Sequence, residues 1–138
     1  MEKENLEYAN STVLAYIGDA VYEVYVREQI MNGGEIHADK MHSSAIKYVR
    51  AEGQAMALKK MFHQLSDKEQ ALVKRARNKK ITSKPKNADP ILYKWATGLE
   101  ALIGYLHLSG QKERMEEIII EIMKMIDGEE NGRKTEEK

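Results

Sequence analysis

Cysteine is absent from this chain of 138 residues, which excludes disulfide frameworks, thiol nucleophiles and cysteine-ligated zinc. No apolar run approaches the roughly 18 residues that a membrane-spanning helix needs. The first segment, MEKENLEYAN, is too acidic and polar for a signal peptide. These absences predict a cytoplasmic protein that does not contact a membrane.

The chain has too few residues for two ordinary domains but enough for one. We assign that domain to residues 1–127. The remaining tail, residues 128–138, reads GEENGRKTEEK and offers no apolar side chain to a core. It is predicted to be disordered.

Net charge is also lacking, because 22 basic residues balance 22 acidic ones. The balance is uneven along the chain, since the segment 74–86 (KRARNKKITSKPK) holds seven Lys or Arg and no acid. Such a segment is either a solvated surface loop or a phosphate-binding element, and the sequence leaves both readings open.

Helical periodicity dominates the sequence and no strand pattern is convincing, which predicts an all-α fold. Helix boundaries follow from Asn10 or Ser11 as a first cap, a capping box at Ser66 and an Asp89-Pro90 start. The expected elements are helices over about 11–31, 44–64, 66–78, 90–108 and 112–126, with a helical turn over 38–42.

Two of these helices are apolar around most of their circumference but carry one polar stripe each. The first stripe is Thr12, Tyr16, Asp19, Glu23 and Arg27, and the second is Tyr93, Thr97, Glu100, Gly104 and His107. Glycines at 18, 98 and 104 each cost roughly 1 kcal/mol inside a helix. They indicate that another group approaches the helix backbone closely.

Carboxylates inside apolar helices need a partner, because burying an unpaired charge is costly. If the two stripes face each other, Asp19, Glu23 and Glu100 converge, and such oxygen ligands suit Mg²⁺. The alternative is a set of internal ion pairs, Glu23 with Arg27 and Glu100 with Lys94 or Arg27. Spacing alone does not separate the two.

Two segments resemble the ribonuclease III family. LAYIGDAVYE, around Asp19, is similar to the signature of that family's catalytic domain, and GLEALIGYLHL, around Glu100, is similar to its second carboxylate segment. Their order, their separation of about eighty residues and their helical context agree with the family pattern. RARNKK, PKNADP and YKWATGLEALIGYL resemble segments of the Mini-ribonuclease III branch, so the resemblance covers most of the chain, about 6–110.

The resemblance implies a ribonuclease III catalytic-domain-like helical bundle that forms a homodimer. It implies that Asp19 and Glu100 are catalytic carboxylates that bind Mg²⁺, with Mn²⁺ as a substitute. The implied reaction is hydrolysis of phosphodiester bonds in double-stranded RNA. The implied cellular substrate is the precursor of large-subunit ribosomal RNA, with ribosomal proteins as further partners.

Three positions depart from the family pattern. Thr12, Ala15 and Thr97 stand where full-length family members carry carboxylates, which leaves the number of metal ions open. The departure also motivates an alternative function, a non-catalytic RNA-binding or ribosome-associated dimer with the same fold.

Two further expectations concern surfaces. Duplex RNA presents mainly phosphates and 2′-hydroxyls, so the basic segment supplies the predicted substrate-binding residues Arg75, Arg77, Lys79, Lys80, Lys84 and Lys86. The apolar excess of the first helix, including Tyr22, Tyr25 and Val26, fits burial at a subunit interface. A core helix in a monomer fits it equally well.

Overall fold

The computed structural model describes residues 3–79 and 89–136. Within these ranges the regular structure is helical and contains no strand, which confirms the all-α prediction. Six α-helices follow a 3₁₀ turn at Lys3–Tyr8, and a second 3₁₀ turn spans Phe62–Gln64. The helices are α1 Ser11–Asn32, α2 Ala38–Val49, α3 Ala51–Met61, α4 Asp67–Asn78, α5 Pro90–Leu108 and α6 Lys112–Glu136.

Three predicted caps are confirmed. The Asn10 side chain accepts a hydrogen bond from the Thr12 amide at 2.8 Å, and Asp89 accepts one from the Ile91 amide at 2.9 Å. Ser66 and Glu69 form the reciprocal capping box at the start of α4. Each cap satisfies an amide that the first helical turn leaves without a partner.

The prediction of one continuous helix over 44–64 is wrong, because the helical structure is interrupted at Arg50, between α2 and α3. Arg50 is extended, with ψ at 137°. The Tyr48 carbonyl nearby accepts hydrogen bonds from the Tyr22 hydroxyl at 2.8 Å and from the Gln54 side-chain amide at 3.3 Å. Tertiary partners therefore satisfy this buried carbonyl.

Helix α6 is longer than predicted, since it runs to Glu136 and not to Ile126. The added segment is rich in Glu, Lys and Arg, which favour helix, and Glu129 forms a salt bridge of 3.2 Å with Lys60 on α3. The backbone of residues 128–136 is thus helical. The division into a domain 1–127 and a separate tail 128–138 stays a prediction.

Helix α5 is the central element, and it packs against α1, α3 and α4. Its residues Leu99, Leu102, Ile103 and Leu106 are at most 1% exposed. The apolar side chains of α5 from Leu99 to Leu106 are therefore covered by their own chain, whereas Ile91 near its start is 62% exposed.

Helices α1 and α5 touch backbone to backbone. A Cβ atom on Gly18 would lie 1.7 Å from the Glu100 carbonyl oxygen, and one on Gly104 would lie 2.0 Å from the Leu14 carbonyl oxygen. Two glycines, one on each helix, therefore permit this crossing. The close approach that the helical glycines predicted is confirmed for Gly18 and Gly104, and the approaching group is the other helix.

Helix α1 is less buried than predicted. Tyr22 and Val26 are at most 1% exposed within their own chain, so they belong to its core, which is the second of the two interpretations that the sequence left open. Tyr25 is half-buried and donates a hydrogen bond to Glu116 on α6. The large apolar side chains of α1 that face outward are instead Val13, Tyr16, Val24 and Met31, at 48%, 83%, 51% and 58% exposure. Among the described residues no helix is long and apolar enough to cross a bilayer.

Candidate active site

A cleft of about 700 Å³ opens between α1, α5 and the end of α4. Both polar stripes of the sequence contribute to its walls. The lining side chains that carry chemistry are Asp19, Glu23, Glu100, Lys79, Lys94, Thr12, Thr97, Tyr16 and Tyr93. Part of each stripe therefore lines one cleft, whereas Arg27, Gly104 and His107 are not among the lining residues.

The helix crossing explains why the carboxylates meet. Gly18 on α1 packs against the backbone carbonyl of Glu100 on α5. Asp19 follows Gly18 in the chain and is therefore held close to Glu100. Glu23 lies one helical turn beyond Asp19 on the same face. Two glycine contacts therefore fix Asp19 and Glu100 on opposite walls of one cleft.

Electrostatics show that these carboxylates affect one another. Burial, and then the negative charge of Asp19, raise the pKa of Glu100 to about 8. Burial, and then the charge of Glu23, raise the pKa of Asp19 above its ordinary value. Neighbouring acids that repel one another resist full ionisation unless a cation compensates them.

The alternative ion pairs do not form within the part of the chain that the structure describes. No salt bridge there joins Glu23 to Arg27, or Glu100 to Lys94 or Arg27. A protein cation that paired with Glu100 would lower its pKa, and the pKa is raised. The donor set of two facing carboxylates therefore fits a bound divalent cation.

Glu23 differs from the other two carboxylates. Among residues 3–79 and 89–136, no three acidic or histidine side chains lie close enough together to hold one metal ion. Mg²⁺ commonly takes one or two carboxylates and keeps several waters, so a pair such as Asp19 and Glu100 is enough to hold it. The assignment of Glu23 as a ligand stays a prediction.

The two threonines at family carboxylate positions have protein partners. The Thr97 hydroxyl donates to the Tyr93 carbonyl at 2.9 Å. The Thr12 hydroxyl accepts from the Lys79 ammonium at 3.0 Å, and the same ammonium donates to the Asn10 side chain. Lys79 thereby fastens the end of α4 to the first turn of α1.

Of the six predicted substrate-binding residues, three are described. Lys79 lines the cleft. The Arg77 guanidinium lies 4.7 Å from the centre of the Trp95 ring, and the Arg75 guanidinium lies 5.3 Å from that of Tyr8. The other three, Lys80, Lys84 and Lys86, lie outside the described residues.

Comparison with known proteins decides the family. The family model for the Ribonuclease III domain matches residues 12–111. The chain belongs to the ribonuclease III family. A protein of Symbiobacterium thermophilum called Mini-ribonuclease 3 is 45% identical over 77% of this chain and 82% of its own length. The Mini-ribonuclease 3 of Enterococcus faecalis is 43% identical over 88% of this chain and 93% of its own length.

The fold agrees with this assignment. A crystal structure of a Fusobacterium nucleatum protein superimposes with a TM-score of 0.77 at 28% identity, covering 87% of this chain and 96% of the other. Membership of the ribonuclease III family indicates an endoribonuclease and confirms the predicted catalytic-domain fold. The resemblance to the Mini-ribonuclease III branch is likewise confirmed.

Sequence reasoning underrated Lys94, which lines this cleft of the ribonuclease III fold. The sequence suggested it only as an ion-pair partner. Its position three residues before Thr97 places it on the edge of the polar stripe, because residues three apart are neighbours on a helix surface. That spacing was the signal available.

We expect the metal-free protein to lose stability as the pH rises from 4.5, the ordinary value for Glu100, towards about 8. The folded state holds the Glu100 proton more tightly than the unfolded chain does. The stability that this proton contributes is therefore complete below the pKa of the unfolded chain, 4.5, and is lost as the pH rises to the pKa of the folded state, about 8. Urea unfolding in chelator across this pH range measures the effect.

In that experiment Glu100→Gln should flatten the decline, because the amide has no proton to lose. Glu28→Gln, an exposed residue of the same acid type as Glu100, serves as control and should keep the wild-type profile. A Glu100→Gln profile as steep as that of the wild type would show that Glu100 titrates normally.

Proposed function

We propose that this protein is a Mg²⁺-dependent endoribonuclease that hydrolyses phosphodiester bonds in double-stranded RNA, with Mn²⁺ as a substitute ion. Asp19 and Glu100 are its proposed catalytic, metal-binding residues. The observation that carries the proposal is the facing of these two carboxylates across a cleft, held by the Gly18 contact and with no described cation paired to either.

Asp19 and Glu100 would hold the ion from opposite walls of the cleft. When bound, Mg²⁺ supplies charge stabilisation at the scissile phosphate and lowers the pKa of an attacking water. The raised pKa of Glu100 means that its proton must leave before this carboxylate binds an ion. Metal affinity should therefore increase with pH up to about 8.

Double-stranded RNA is supported as substrate by the family and by the charge beside the cleft. Arg75, Arg77 and Lys79 follow one another near the end of α4. Positive charge at fixed positions suits recognition of duplex phosphates, since the bases of an RNA duplex are poorly accessible. Lys80, Lys84 and Lys86 extend this basic segment in the sequence and are proposed to contribute as well.

The proposed cellular role is maturation of the large-subunit ribosomal RNA precursor in the cytoplasm, with ribosomal proteins as further partners. It rests on the resemblance to the Mini-ribonuclease III branch.

The test of the proposed function uses a long RNA duplex, its separate strands, and buffers with Mg²⁺, Mn²⁺ or chelator. We expect the duplex to be cut with either metal, and both the chelator samples and the single strands to stay intact. Duplex binding with no cutting under any condition would instead favour the non-catalytic RNA-binding alternative.

We also propose a homodimer, because cutting both strands of a duplex takes two related sites. Val13, Tyr16, Ala20 and Val24 fall on one face of α1 by helical spacing, and all four are exposed. Large apolar groups on one exposed face are typical of a subunit interface. Two copies joined through this face would bring their clefts together, since Tyr16 and Ala20 also line the cleft.

Val24→Glu is expected to convert the dimer into a monomer, because two carboxylates would then be buried at the symmetric contact without partners. Size-exclusion chromatography with light scattering measures the mass. Ile120→Glu, at an exposed isoleucine on α6, is the control and should leave the mass unchanged. A wild-type monomer at micromolar concentration would overturn the dimer.

A further inference from the structure

Beside the cleft, α3, the 3₁₀ turn Phe62–Gln64, α4 and α5 present two aromatic rings surrounded by cations. Phe62 and Trp95 meet edge to face, with ring centres 5.8 Å apart. We call this surface the Trp95 patch and define it as Lys59, Phe62, Lys74, Arg77, Lys94 and Trp95.

Three of the four cations of the patch lie over the rings. Arg77 and Lys59 lie 4.7 Å and 5.6 Å from the centre of Trp95, and Lys74 lies 5.8 Å from that of Phe62. These contacts are cation–π interactions, which order the long side chains without neutralising their charge.

Carboxylate partners are missing from the patch within the described part of the chain. Other basic residues there do have them: Arg114 binds Glu69, Lys47 binds Asp127 and Lys60 binds Glu129. No described salt bridge involves any of the four cations of the patch. Although the chain has equal numbers of acids and bases, this group of positive charges has no acidic partner among the described residues.

The patch is continuous with the active-site cleft through Lys94. This residue lines the cleft, and it also lines a neighbouring depression of about 280 Å³ together with Arg77, Asn78, Ile91 and Trp95. A row of positive charge thus leads from Lys79 in the cleft, past Lys94, to Arg77 and Lys59. Gathered like charges repel, and a ligand with regularly repeated negative charge relieves that repulsion.

We propose that the Trp95 patch binds backbone phosphates of the RNA duplex that flank the segment held in the cleft. The proposal deepens the proposed function and rests on it for the identity of the ligand. Binding there is independent of base sequence, because the patch presents charge to phosphates and no groove-reading element. It lengthens the stretch of duplex that a single-domain enzyme contacts.

The test measures duplex affinity in chelator at several salt concentrations, so that no cleavage is required. Lys59→Gln/Lys74→Gln/Arg77→Gln should weaken binding at least about tenfold at low salt, and the slope of log affinity against log salt should fall by about 2–3. Lys40→Gln/Lys112→Gln/Lys124→Gln removes the same charge from α2 and α6 and should keep the wild-type slope.

Trp95 supplies a local signal because it is the only tryptophan in the chain. Adding duplex should change its fluorescence in the wild type and in the control triple variant, since phosphates compete with the ring for Arg77 and Lys59. A wild-type slope in the patch variant, an equal loss in both triple variants, or unchanged Trp95 emission would each overturn the proposal. If the wild type still cleaves duplex RNA when one of these outcomes is found, only the Trp95 patch proposal fails and the proposed function is retained.

Discussion

Glu100→Gln and Asp19→Asn should each lower the rate of duplex cleavage by about a thousandfold or more, which corresponds to roughly 4 kcal/mol of transition-state stabilisation. Each substitution keeps the size of the side chain and removes the charge that would hold the ion between α1 and α5. Because an amide also relieves repulsion between neighbouring acids, we expect both variants to fold and to unfold no more easily than the wild type.

Single-turnover cleavage of a defined duplex measures this effect, with duplex affinity in chelator measured on the same samples. Glu28→Gln on the exposed side of α1 is the matched control and should cut at the wild-type rate. Retained binding with lost cleavage would assign the carboxylates to the chemistry. Near wild-type cleavage by Glu100→Gln would remove Glu100 from the active site.

Gly18→Ala should destabilise the protein by about 3 kcal/mol or more, because overpacking a tight contact displaces the elements that meet there. The added Cβ would lie 1.7 Å from the Glu100 carbonyl oxygen, a backbone atom that cannot turn aside. We expect the midpoint of thermal unfolding to fall by about 10 °C. Cleavage should fall as well, because α1 carries Asp19 away from Glu100, and displacements of about 1 Å can cost a hundredfold in rate.

Gly128→Ala is the control for that experiment. Gly128 lies in α6 with no atom near the position of an added Cβ, so alanine should stabilise the helix by about 0.5–1 kcal/mol. The two glycine substitutions are therefore expected to change the free energy of unfolding in opposite directions. Unfolding curves that coincide for Gly18→Ala and the wild type would contradict the backbone contact between α1 and α5.

Local chemistry explains which parts of the fold the sequence predicted. The caps at Asn10, Ser66 and Asp89 depend on hydrogen bonds within three residues, and their helices begin as predicted. The stripes around Asp19 and Glu100 follow from helical spacing, and the helix glycines indicated that some group approaches the helix backbone closely. The glycines did not identify that group, which the structure shows to be the backbone of the other helix.

Long-range contacts explain the failures. The break at Arg50 depends on the Tyr22 hydroxyl, 26 residues away from the carbonyl it binds. The sides of α1 that α5 and α2 cover determine which face stays exposed. Because α1 is apolar around most of its circumference, its sequence does not identify that face. Periodicity therefore left open whether Tyr22 and Val26 lie at a subunit interface or in the core, and the structure buries both in the core.

The central claim is that Asp19 and Glu100 together bind a divalent ion. Its most direct measurement is the thermal unfolding of the wild type and Glu100→Gln as Mg²⁺ or Mn²⁺ is titrated at neutral pH, without RNA. An ion that binds only the folded state raises the unfolding temperature with its concentration. We predict this rise, with release of protons, for the wild type and its absence for Glu100→Gln. An equal rise in both proteins, or none in either, would contradict the claim.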